Sequence, residues 1–134
     1  MYDFMTPPPD ALMAPSGPVW LTDDGIVITI GKSESQDAET ARENMVYTRK
    51  AAGGKARPLL VDMTKVRSMS KGAREEYVKQ QGELTITAVA LLTTSNVSNM
   101  IANIFIGLNK PQVPVKLFTD PYKAKEWLME HRLS

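Results

Sequence analysis

Arg57-Pro58-Leu59-Leu60-Val61-Asp62-Met63-Thr64-Lys65-Val66-Arg67-Ser68-Met69-Ser70-Lys71-Gly72-Ala73-Arg74 reads as a buried strand, a short polar turn and the opening of a helix. Leu59, Leu60 and Val61 run without polar interruption, as in a strand covered on both faces. Asp62, Met63 and Thr64 carry the strand out of the core, and residues 65–69 turn the chain back. Ser70 stands where the N-cap of a helix over 71–81 belongs, because its hydroxyl can accept a backbone N–H bond from the first turn. Unpaired amides and a positive dipole end then lie at one rim of the sheet.

Upstream, 19–21 and 26–30 read as short strands on either side of Thr22-Asp23-Asp24-Gly25, an Asp-Gly hairpin signal. The first helix follows, with Ala38, Ala41, Met45, Thr48 and Ala52 on one stripe, Ser33 or Ser35 as its cap, and Gly53-Gly54 as its end. Downstream of the organising stretch come a strand over 84–93 and a helix over 97–108, with Val97, Met100, Ile101, Ile104 and Leu108 as its stripe. An edge strand over 113–119 is marked by Pro114 and Lys116. The last helix starts at Asp120-Pro121, an acidic cap followed by proline at the first helical position. Strands and helices alternating over short connections mean right-handed crossovers and a largely parallel sheet. The expected architecture is α/β: a mixed, largely parallel five-stranded sheet with four helices in the order ββα-βα-βα-βα, strands in sequential order and helices largely on one face.

Residues 1–18 are set apart as a proline-rich arm, and 19–134 as a single domain. The arm holds five of the nine prolines, so no regular element is expected in it. Its apolar residues, Phe4, Met5, Leu12 and Met13 among them, are expected to lie on an apolar surface of this chain or of a partner. The sequence has 134 residues, a formal charge of +1 and no cysteine. Near-neutral charge gives no footprint for nucleic acid, and the lack of cysteine removes disulfides, thiolate metal sites and cysteine nucleophiles. With Pro7-Pro8-Pro9 in place of a basic start and an apolar run, a cytoplasmic location is the expectation.

The run 61–70 followed by a helix resembles the STAS family, the anti-sigma-factor antagonist domains, and the order of elements over 19–132 is similar to theirs. Asp62 matches that family's strand-end acid, and Val66 and Met69 match its apolar turn positions. Ser70 falls on the next acidic position, while Lys71 and Gly72 fall where a pair of serines is expected, so the phosphoacceptor is not reproduced in register. The resemblance implies a regulatory or ligand-binding module without catalysis.

Candidate binding residues gather at the strand-end rim. Asp62, Thr64, Ser70, Lys71, Gly72 and Arg74 could hold an anion at a helix N-terminus, with Thr94, Ser95 and Asn96 beside them. The competing reading is that each is a cap or turn residue. His131 is the only histidine, so a metal cluster or Ser-His-Asp triad would have to be built around it alone. No catalytic residue, metal site or cofactor is expected. Residues 84–109 carry no charge, and Asn99, Asn103 and Asn109 interrupt them too often for a membrane span. Phe105 and Ile106 project beyond the helix stripe, which marks Asn99, Asn103, Phe105 and Ile106 as the interface of a homodimer. The expected function is therefore a non-enzymatic, homodimeric protein-interaction or regulatory module. The alternative is a carrier or sensor of a small apolar or phosphorylated ligand, bound at the rim beside the third helix.

Overall fold

The computed structural model describes residues 4–32, 35–84, 86–93 and 113–132. Its main sheet has six strands: β1 (Leu12–Ala14), β2 (Gly17–Leu21), β3 (Val27–Ile30), β5 (Arg57–Asp62), β7 (Ile86–Leu92) and β8 (Val115–Phe118), side by side in that order. A small parallel pair, β4 (Ser35–Gln36) with β6 (Ser68–Met69), stands apart from it. The described helices are α1 (Ala38–Ala52), α2 (Lys71–Leu84) and α3 (Pro121–Met129). The helix expected over 97–108 lies outside the described residues.

The Leu59-Leu60 strand sits where its composition requires. β5 runs parallel between β3 and β7. Successive side chains on a strand point to opposite faces, so Leu59 enters one core and Leu60 the other. The same split separates Val19 from Trp20, Val27 from Ile28, and Val89 from Ala90. β7 is buried over most of its length on both faces, which explains the charge-free strand. Sequential strand order and parallel crossovers hold as expected, and β8 forms one edge.

Two expectations need correction. The helices do not gather on one face: α1 supplies Met45 to the first core and α2 packs Tyr77 against it, whereas α3 supplies Ala124 and Leu128 to the second. The cause is the second face itself, where Trp20, Ile26, Ile28, Leu60 and Leu92 would otherwise meet water. Ala88, Ala90 and Ala124 are all fully buried there, small enough to let α3 lie close on the sheet. The sheet also has six strands, not five, because the proline-rich arm contributes β1, antiparallel to β2 with Leu12 opposite Val19. The prolines of the arm flank Leu12-Met13-Ala14 without interrupting it, and an edge strand needs partners on one side only.

The rest of the arm folds back on its own chain. Phe4 meets Tyr122 edge-on at 5.3 Å, with the Lys125 ammonium 4.8 Å from the Phe4 ring centre. Met5 and Ala11 pack on the second core, and Leu12 and Ala14 on the first.

Helix ends follow the sequence with two exceptions. Ser70 Oγ accepts from Ala73 N at 3.1 Å, and Asp120 accepts from Tyr122 N at 2.9 Å ahead of Pro121. Gly53 ends α1 in the left-handed conformation at φ 68°. The α1 cap is neither Ser33 nor Ser35 but Asp37, which accepts from Thr40 N at 2.9 Å. Ser35 is held extended in β4 opposite Ser68, and Ser33 lies outside the described residues. The backbone bond from Thr40 holds the Asp37 carboxyl below its usual range. α2 also continues to Leu84, past the expected end at 81.

Candidate functional site

The expected anion site is built from groups that hold the backbone. Asp62 Oδ1 accepts from Thr64 N at 2.9 Å and from Thr64 Oγ1 at 2.7 Å, closing the turn that follows β5. Met63 N then donates to Leu92 O and Val66 N to Met63 O, so Val66 is returned to the core. Ser70 N donates to Gln36 O across the β4–β6 pair, while its hydroxyl caps α2. Arg74 turns back along its helix and donates to Met69 O at 2.8 Å. Lys71 stays in solvent, 3.9 Å from Glu75 one helical turn on, a separation at which exposed pairs contribute little.

Gly72 has a packing role. A Cβ there would stand 3.1 Å from the Cβ of Ala38, because the first turns of α1 and α2 touch at this point. A serine at 72, where the resemblance places a phosphoacceptor, would press against α1 and require it to give by a few tenths of an ångström. Thr94, Ser95, Asn96, Asn99, Asn103, Phe105 and Ile106 lie outside the described residues. His131 packs on Trp127 with the rings tilted at 59° and their centres 4.7 Å apart, on the α3 side of the sheet. Among the described residues, no group of three or more His, Cys, Asp or Glu could hold a metal ion. No helix among them is long and apolar enough to cross a membrane.

A different site emerges beneath α1 and α2. A cavity of about 80 Å³ lies against the first face of the sheet, with Leu59, Val66, Val89 and Leu91 among its apolar walls. Ser16, Gln36, Asn44 and Tyr77 form its polar end. Asn44 Nδ2 donates to Ser16 Oγ at 2.7 Å and to Tyr77 Oη at 3.0 Å, and Ser16 N donates to Asn44 Oδ1 at 3.1 Å. Tyr77 in turn donates to Gln36 Oε1 at 2.5 Å. This chain ties the arm, α1, α2 and β4 together. A buried polar group costs stability unless bonded, and here each bond satisfies two such groups.

The sequence carried one signal for this site. Asn44 lies three residues after Ala41 and four before Thr48, so it sits on the buried stripe of α1. An asparagine on that stripe demands a partner, but Tyr77, Gln36 and Ser16 come from three other segments that only the fold brings near.

Burial pushes the Tyr77 hydroxyl up to about 12 from its ordinary 10.0, partly offset by the bond from Asn44. The unfolded chain therefore loses this proton near pH 10 while the folded chain keeps it to about 12. Stability supplied by the protonated hydroxyl is complete below pH 10 and is lost as pH rises through that window. The loss is on the order of 3 kcal/mol. Denaturant titrations from pH 9 to 12 should show Tyr77→Phe less stable than wild type at pH 9 and the difference shrinking as pH rises. A difference independent of pH would contradict the enclosed hydroxyl.

No curated protein matches the chain. Among solved structures, it is similar to an uncharacterized DUF3478-family protein with a SpoIIAA-like fold from Shewanella loihica PV-4. The likeness has a TM-score of 0.58 at 17% identity and covers 82% of this chain and 90% of that one. A protein of unknown function from Arthrobacter sp. FB24 is 28% identical, with 82% and 96% of the two chains covered and a TM-score of 0.30. The SpoIIAA-like neighbour bears out the STAS-like fold that the sequence resemblance implied. The model of a domain of unknown function, DUF7793, matches residues 19–132, and the chain belongs to that family.

Proposed function

We propose that the chain is a non-enzymatic regulatory module that acts through protein contacts, the first of them with a second copy of itself. The observation that carries this reading is the open edge of the sheet. Among the described residues β1 pairs with β2 alone, and its Met13, 65% exposed, shares a groove with Val46 on α1, 39% exposed. Together with Pro15, Glu43 and Lys50 these residues line one surface groove. An unpaired strand edge beside exposed apolar side chains is a template for another chain.

The charges favour a second copy as that chain. Glu43 lies three residues before Val46 and Lys50 four after it, on one stripe of α1. A two-fold axis near Val46 sets Glu43 of one protomer opposite Lys50 of the other, the self-complementarity that an isologous interface requires. The face around Phe105 is the alternative, marked by sequence alone.

Light scattering at about 50 μM separates the two, this being a concentration at which micromolar self-association is visible. Glu43→Lys should give folded monomers, and adding Lys50→Glu to it should restore the dimer. A dimer abolished by Phe105→Asp and indifferent to the charge swap would move the interface to the segment around Phe105. A monomeric wild type would end the self-association reading altogether.

A further inference from the structure

We propose that the cavity beneath α1 and α2 binds a small neutral molecule with an apolar body and one hydrogen-bond acceptor, of the class of short-chain ketones and esters. This goes beyond a module acting through protein contacts, and of the strand-end rim candidates the site includes Asp62 alone. The volume sets the size. A cavity of about 150 Å³ with aliphatic walls holds benzene, so about 80 Å³ admits on the order of three or four non-hydrogen atoms before any side chain moves. Met45, Met63 and Met69 line it as well, and unbranched methionine side chains can turn aside for one or two atoms more.

The polar end sets the chemistry. Ser16, Gln36 and Asn44 are each no more than 9% exposed. Both Asn44 amide protons are used, its Oδ1 accepts from Ser16 N, and the Tyr77 hydroxyl both donates and accepts. The Ser16 hydroxyl proton and the Gln36 side-chain N–H groups meet no acceptor among the described residues. Gln36 Nε2 lies near Gly31, which also lines the cavity; a Cβ built there would stand 3.5 Å from it. The protons left to a ligand at the polar end are therefore those of Ser16 and Gln36, which select an acceptor oxygen. An anion would meet the Asp62 carboxyl in the cavity wall, and no cationic side chain lines the cavity to offset it. A network serving only to lock α1 to α2 would need the Asn44–Tyr77 bond and no void. Voids cost stability that larger side chains recover.

Butanone and xenon are the probes. Butanone has an apolar body and one acceptor, and xenon tests the void without its polar end. Titrated into the full chain and followed by amide NMR, butanone should give saturable shifts around Asn44, Val66 and Tyr77, with a dissociation constant on the order of 1 mM or tighter. Ser16→Ala combined with Gln36→Met should weaken butanone about fivefold or more while xenon binding stays within about twofold. Val89→Ile, which adds one methylene to the wall, should weaken both probes. Three outcomes overturn the proposal: no localised saturable shift with either probe, xenon bound without butanone, or butanone bound equally well by the double variant.

Discussion

Gly17→Ala should be the most damaging single substitution on the first hairpin, lowering stability by more than about 3 kcal/mol. Gly17 opens β2 at φ 151°, a backbone conformation that L side chains rarely adopt. A Cβ built there would overlap the carbonyl oxygen of Ile30, because Lys32 N bonds to Ser16 O and draws the two segments together. The obstacle is backbone, which no side-chain rotation can clear. Relief requires the β1–β2 turn to lift away, and with it Ser16, which the Asn44 amide grips from the other side. Urea denaturation would measure the loss. A variant within about 0.5 kcal/mol of wild type would show that the turn can relax and that the arm is loosely attached.

Removing residues 1–15 should lower stability by about 3 kcal/mol net, or about 10 °C in melting temperature. The truncation strips β1 from the sheet and takes Phe4 and Met5 from the second face. Each large apolar side chain contributes roughly 1.5 to 3 kcal/mol when fully buried, and these are half-buried. The gain is reduced by the entropy of ordering the segment, an entropy that prolines keep small. The same truncation removes the edge on which the proposed dimer rests, so it should also yield monomers. An unchanged melting temperature would contradict the arm's place in the core.

The sequence was most legible where a local rule acts alone. Asp120-Pro121, Ser70 and Gly53 each end or begin a helix through bonds made within a few residues, and all three stand where those rules put them. Leu59-Leu60 was legible because only a strand covered on both sides tolerates such a run. Illegible were features set by a partner distant in sequence. Proline density concealed β1, which exists because β2 offers it an edge. Asp37 displaced the serines as cap because Ser35 is held by Ser68, thirty-three residues away. The covering of the second face depends on Ala88, Ala90 and Ala124 coming together, and alanines carry no strong signal of where they pack. The candidate site shows the same division. Asp62, Ser70 and Lys71 are legible from local pattern; in the fold Asp62 closes a turn and borders the cavity, Ser70 caps α2, and Lys71 stays in solvent. The cavity's polar end is not legible in the sequence because Ser16, Gln36, Asn44 and Tyr77 come together only when the chain is folded.

The self-associating module is tested most directly by native mass spectrometry of the wild-type chain across a concentration series. The account predicts a species of twice the chain's mass that grows with concentration, and its loss in Glu43→Lys with return in the doubly swapped variant. A single species of the chain's own mass at every concentration would contradict it.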